Sequence, residues 1–150
     1  MTTIGSICEH DVICTNSETT VQGAAKLMRK HHVVTLVIVD AATGRRIPKG
    51  IVTDRDIVVE VAALDLDPNV ITVGDIATPE LITVREGEGV LETVELMRLK
   101  GVRRLPVVGE GGELTGIISV DDLLETMCEQ MSEMARSLGR ERGHEFHDRR

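Results

Sequence analysis

The chain is written twice. Ile4–Val39 lies over Val73–Val108 at a constant offset of 69 residues, with identities at Gly5/Gly74, Ile7/Ile76, Ile13/Ile82, Val21/Val90, Leu27/Leu96, Met28/Met97, Arg29/Arg98, Val33/Val102, Leu36/Leu105 and Val39/Val108. The register then slips by three: the run from Gly50 to Ile57 (GIVTDRDI) sits over the run from Gly116 to Leu123 (GIISVDDL) at an offset of 66. The slip falls where the first copy carries Ala41–Lys49 and the second only Glu110–Thr115, a connection that tolerates changes of length. A duplication of this kind demands two related units. Units of about 65–70 residues are marginal alone, so the halves are expected to share a core about a pseudo-twofold axis.

Both copies show the same periods. Ile13 and Ile82 open a short strand. Val21, Ala24, Ala25 and Met28, like Val90, Thr93, Val94 and Met97, fall at helical spacing and predict one amphipathic helix per copy. Gly101 is placed to end the second of these helices in the left-handed conformation. The apolar runs Val33–Val39 and Leu105–Val108 predict buried strands, followed by a turn, a strand at Gly50–Val52 or Leu114–Ile118, and a second helix. The order β-α-β-β-α, twice, predicts an α/β (α+β) fold with a mixed sheet in each half and helices packed on it. The expected units are residues 1–65 and 66–128, followed by a helical extension and polar tail over 129–150.

Composition narrows the function. The net charge of -8 repels nucleic acid and anionic membrane, and one Phe with no Tyr or Trp leaves almost no platform for stacking bases. No apolar run approaches the ~18–20 residues that span a bilayer, and the N-terminus is not built like a signal peptide, so a cytoplasmic chain is expected. Cys8, Cys14 and Cys128 lack CxxC spacing and read as reduced thiols. No resident cofactor, metal or catalytic set is expected.

The repeated chemistry is a hydroxyl followed three residues later by an acid: Thr53/Asp56 and Ser119/Asp122. One account is structural, with Thr53 and Ser119 as N-caps and the acids reaching back in a capping box. The other is a ligand site. Orphan N–H groups at the helix start and the hydroxyl would meet a phosphate, and the carboxylate would accept both hydroxyls of a ribose. The two accounts are compatible. Gly50 and Gly116 would permit close approach in the crevice. Cys8, His10 and Cys14 lack a fourth ligand for a metal. His144 and His147 read as a solvated tail, and His31 and His32 as cations at a helix C-terminus or as ligand contacts.

With these segments in register, the sequence resembles the tandem cystathionine beta-synthase (CBS) domain pair over about residues 1–128. The two G-[IV]-x-[ST]-x-x-D segments carry the likeness, with Thr72–Ile76 and Arg104–Val108 beside them. The resemblance implies an adenosine-ligand module. Thr53 or Ser119, with Arg55 and Arg104 nearby, would face phosphate, and Asp56 or Asp122 the ribose. Adenine would sit near Ile13, Cys14 and Thr15 and near Ile82, Thr83, Val84 and Pro106. The expected role is a regulatory sensor of AMP, ADP, ATP or a related adenosyl ligand, acting as a homodimer or through a separate protein target. The alternative is a constitutive dimerisation or scaffolding module without ligand.

Charge predicts unequal sites. Arg55 of the first motif is replaced by Asp121 in the second, and the first connection carries Arg45, Arg46 and Lys49. Arg103 and Arg104 replace Val34 and Thr35, and would offset this if they faced the second crevice. Leu124, Cys128, Met131, Ala135 and Leu138 form a coiled-coil-like seam, suited to this chain's own sheet, a dimer or a partner protein.

Overall fold

A computed structural model describes residues 2–40, 42, 44–78 and 80–148, with side chains as far as residue 140. His144 and His147 therefore lie outside the described side chains.

Each copy builds a three-stranded mixed sheet, as its sequence predicts. In the first, β1 (Cys14–Thr15) runs parallel to β2 (Thr35–Asp40), which pairs antiparallel with β3 (Ile47–Thr53). In the second, β4 (Val84–Arg85), β5 (Arg104–Val108) and β6 (Leu114–Ser119) repeat that order. The duplication extends to the irregularities: register shifts between Ile38 and Val39 in one sheet and between Val107 and Val108 in the other, equivalent positions. The first strands start just beyond Ile13 and Ile82, whose side chains pack beside the cores instead.

The amphipathic helices are α2 (Val21–His31) and α5 (Val90–Lys100), and their buried residues fall on the expected stripe: Val21, Ala24 and Met28, then Val90, Thr93 and Met97. Both end in a left-handed residue. Gly101 does so at φ 66°, and His32, its counterpart, at φ 54°. A side chain at such a φ costs about 1–2 kcal/mol, partly offset by the freedom glycine loses on folding. His32→Gly is expected to stabilise the protein by about 1 kcal/mol, raising Tm by about 2–4 °C. An unchanged melting curve would mean that the histidine makes compensating contacts at this exposed turn.

The halves interlock rather than share one core. Two helical turns, α1 (Ile4–Ile7) and α4 (Val73–Ile76), each cross to the other repeat. Ile4 and Cys8 are buried with Val84, Leu105, Ile118 and Leu123 of the second repeat, whereas Val73, with Ile76 and Ala77 beside it, joins Ala24, Leu36, Ile38 and Val52 of the first. Matching backbone bonds fasten the exchange: Gly5 N–H donates to the Glu86 carbonyl (2.9 Å) and Gly74 N–H to the Ser17 carbonyl (3.0 Å). Two small cores thereby each gain an apolar turn that neither repeat supplies from its own sheet and long helix.

The second helices differ. In the first repeat α3 (Asp54–Ile57) continues as a π-helical stretch, Val58–Ala62, and the chain turns away. In the second, α6 runs from Val120 to Asp148. None of the described helices is long and apolar enough to cross a membrane.

Candidate functional site

Both repeated motifs form capping boxes. Thr53 N–H donates to Asp56 Oδ2 (2.8 Å) and Asp56 N–H to Thr53 Oγ1 (3.2 Å); Ser119 N–H donates to Asp122 Oδ2 (3.0 Å) and Asp122 N–H to Ser119 Oγ (3.1 Å). A third box, Thr72/Asp75, opens α4. Its T-x-x-D spacing is the same hydroxyl-to-acid spacing that the two repeated motifs show.

The start of α3 is not the open anion site that the sequence suggested. Asp54 N–H donates to the Val34 carbonyl (3.0 Å), Arg55 N–H to Asp54 Oδ1 (2.8 Å), and Asp56 N–H is already capped. Three backbone donors are thus spent internally. What stays free is the Thr53 hydroxyl hydrogen, a donor, and Asp56 Oδ1, an acceptor. An anion here needs side-chain cations.

Those cations come from the other repeat. The first motif opens into a cavity of about 480 Å³, within the range of small-molecule sites. Gly50, Ile51, Thr53, Asp54, Arg55 and Asp56 form one wall. Thr78, Glu80, Leu81 and Ile82, which lead into the second repeat, and Lys100 to Leu105, the turn from α5 to β5, form the other. Arg55, Lys100, Arg103 and Arg104 stand against Asp54, Asp56 and Glu80, a net positive lining in a chain of net charge -8. One exposed pair forms within it, Lys100 Nζ to Glu80 Oε1 at 3.7 Å, leaving the three arginines without a carboxylate partner among the described ion pairs.

This placement corrects the charge reading. Arg103 and Arg104 line the first crevice, not the second. Arg45 and Arg46 lie at the hairpin tips beside Gly111 and Glu113, with Arg46 donating to Cys14 Sγ, and neither they nor Lys49 line the cavity.

Of the residues the resemblance nominated, the cavity gathers Gly50, Thr53, Arg55, Asp56, Ile82 and Arg104. Thr83 and Val84 line a different cleft, against α5. The Ile13 carbonyl accepts from Val37 N–H (3.2 Å), and Thr15 is buried with its hydroxyl unpartnered. Pro106 is buried in β5 opposite Ile117. Asp54, Thr78, Glu80 and Lys100 were not anticipated. The repeat offsets contain the signal for them, since a pseudo-twofold sets the first motif against the second copy.

The second motif has other company. A Cβ on Gly116 would lie 2.6 Å from Cys8 Sγ and 2.8 Å from the Glu9 carbonyl oxygen, because Glu9 pairs with Ile117 in both directions (3.0 and 2.9 Å). At Gly50 a Cβ would meet Ala77 Cβ at 3.4 Å, ordinary contact. The close approach at Gly116 thus serves the chain's own N-terminal segment. His10 adds to this clamp, with Nδ1 3.0 Å from the Thr115 carbonyl and Nε2 3.1 Å from the Gly5 carbonyl.

Carried through the repeat, the cavity lining becomes Glu9, Asp11, Asp121 and Asp122 with no Lys or Arg, and His31 and His32 at the helix end. Burial, then the Glu86 carboxylate, with Asp122 and Glu9 adding, push the Cys8 thiol above the usual thiol range. Cys14 is engaged by Arg46, so the suggested Cys8–His10–Cys14 set is not assembled. Among the described residues, no group of three or more His, Cys, Asp or Glu is arranged to hold a metal ion.

Two interlocked β-α-β-β-α units, with a ligand-sized cavity where the motif of one meets the other, define a tandem-repeat module. The CBS domain profile matches residues 4–63 and 73–129, and the chain belongs to the CBS domain family. The uncharacterized protein MK0525 of Methanopyrus kandleri is 37% identical over 122 residues, 81% of this chain; the match spans 61% of that protein's length. Among solved structures, the CBS domain protein PAE2072 from Pyrobaculum aerophilum complexed with AMP superposes with TM-score 0.73 at 26% identity, covering 81% of this chain and 89% of that one. The CBS domain pair of protein MJ0100, in complex with 5′-methylthioadenosine and S-adenosyl-L-methionine, gives TM-score 0.72 at 28% identity, covering 87% and 98%.

Proposed function

We propose that this CBS pair senses adenine nucleotides, acting as a regulatory binding module rather than as a catalyst. The observation that carries the proposal is the composition of the inter-repeat cavity. A free hydroxyl donor and a free carboxylate acceptor stand on one wall beside Arg55, and Lys100, Arg103 and Arg104 on the other. In this reading Asp56 takes the ribose hydroxyls, Ile51, Ile82 and Val102 flank adenine, and Thr53 with the arginines holds the phosphates. The bound AMP of PAE2072 and the adenosyl ligands of MJ0100 support the ligand class. The excess of cations favours di- and triphosphates at this site. The acidic second crevice would take a ligand of lower charge or none.

A ligand bridging the two repeats changes how they are held together. The signal would leave through a homodimer or a separate protein target. The scaffolding alternative has one observation in its favour: both capping boxes are complete without a ligand.

Titration with AMP and with ATP separates the two. The chain has no Trp and no Tyr, so a bound adenine stands out in its ultraviolet spectrum. Saturation at about 100 times Kd adds about 2.7 kcal/mol and is expected to raise Tm by about 5–10 °C. Neither an adenine band nor a shift with any adenosyl ligand would leave the scaffold as the function.

A further inference from the structure

The two copies diverge at one matched seam. Cys8 and Glu9 align with Ala77 and Thr78, and Gly116 and Ile117 with Gly50 and Ile51. In the first repeat Ile51 and Thr78 stand on opposite walls of the open cavity. In the second, Glu9 and Ile117 form an antiparallel bridge: Glu9 N–H donates to the Ile117 carbonyl (3.0 Å) and Ile117 N–H to the Glu9 carbonyl (2.9 Å). What is a ligand-sized gap in one copy is a closed seam in the other.

The sheet explains why this seam can close. β6 is an edge strand, with one side on β5 and the other open to pairing. Ile117 sits opposite Pro106 of β5, which has no N–H to give, and both polar backbone groups of Ile117 turn outward. Glu9 takes both. His10 extends the seam, with Nδ1 3.0 Å from the Thr115 carbonyl and Nε2 3.1 Å from the Gly5 carbonyl. On the other side of Glu9, Cys8 is buried in the second core.

Gly116 is what lets the segment lie so close. Its φ is not left-handed, so the backbone conformation does not call for glycine. Space does, because a Cβ would meet Cys8 Sγ and the Glu9 carbonyl well inside contact distance. The seam also lies beside the second motif, since Ile117 precedes Ser119 on the same strand. In the nucleotide reading the counterpart Ile51 flanks the ligand, so Glu9 holds the strand edge that a second ligand would need.

We infer that Cys8–His10 is an autoinhibitory strap: zipped to β6, it fills the second crevice in place of a ligand, and the second motif becomes a site only when the strap peels away. The inference takes its ligand class from the nucleotide reading. With Glu9, Asp11, Asp121 and Asp122 assigned to this crevice and no Lys or Arg, the ligand it admits is an uncharged nucleoside. The strap directly follows α1, whose Ile4 is buried in the second core. Opening it loosens one of the two turns exchanged between the repeats.

Two variants of the full chain release the strap from opposite sides. Gly116→Ala sets a methyl group against Cys8 and Glu9. Glu9→Pro removes the N–H given to Ile117, and Cys8 already has the extended backbone (φ -71°, ψ 159°) that suits a residue before proline. In each, iodoacetamide labelling of Cys8, read by peptide mass, is expected to run about tenfold faster than in the wild type. Adenosine, titrated with ATP saturating the first cavity, is expected to gain one binding equivalent that the wild type lacks. Glu9→Ala keeps the backbone bridge and is expected to match the wild type in both measurements. Because one variant acts from β6 and the other from the strap, a folding defect in either, seen as a large drop in Tm, leaves the other to decide. An adenosine equivalent already present in the wild type, or none gained in either variant, would overturn the strap. ATP that fails to bind removes the nucleotide reading instead, while Cys8 labelling still reports whether the strap opens.

Discussion

Exchanging Arg103 and Arg104 for the residues at the matching positions of the first repeat, Arg103→Val with Arg104→Thr, is expected to lower ATP affinity about 100-fold and AMP affinity about tenfold. Each guanidinium about 6 Å from a phosphate charge, at an effective dielectric near 20, interacts by about 3 kcal/mol before screening. Water and salt reduce this severalfold at so open a site, so the pair together is taken to supply roughly 2–3 kcal/mol toward a triphosphate. AMP offers fewer charges and loses less. Both arginines stand on the cavity wall, outside the apolar cores, so Tm without ligand is expected to move little. Calorimetric titration with both nucleotides at two salt concentrations decides the matter. Equal losses for AMP and ATP would mean that the arginines meet only what the two ligands share, and the preference for polyphosphates would fall.

That experiment turns on a point the sequence left open. The duplication, the strand and helix order, the Gly101 cap and both capping boxes follow from local pattern, because period, turn chemistry and caps act within a few residues. The exchange of α1 and α4 does not. Ile4 and Val73 read as apolar residues at the start of each copy, and nothing within a repeat says that each is buried in the opposite core. The same blindness leaves open which crevice Arg103 and Arg104 face. Counted along the chain they belong to the second copy, and a charge tally by copy cannot say which site they serve. In space the turn from α5 to β5 faces Thr53 and Asp56 across the junction. The phosphate site on backbone N–H groups failed for a further reason. The Val34 carbonyl and the Asp54 carboxylate take those donors; Val34 lies outside the seven-residue motif, and Asp54 stands at one of its unspecified positions.

Asp56 and Asp122 are equivalent by sequence and by cap geometry, yet their removal is expected to have opposite consequences for binding. Asp56→Asn keeps an oxygen that can accept from Thr53 N–H, so the cap survives and Tm without ligand changes little. The variant replaces the free Oδ1 by an amide NH2, which cannot accept from the hydroxyls of the proposed ribose. A hydrogen bond to a charged group contributes about 1.5–3 kcal/mol, so affinity for AMP and ATP is expected to fall at least about tenfold. Asp122→Asn removes one of four carboxylates that the repeat assigns to the second crevice, where Glu9 is fixed against Ile117. Nucleotide affinity at the first cavity is expected to be unchanged, and any binding at the second to strengthen. Measuring both variants by titration and by melting separates the roles of one motif in two settings. Should Asp56→Asn melt lower and bind as before, its carboxylate is a cap and nothing more, and the cavity's ligand is held by its cations alone.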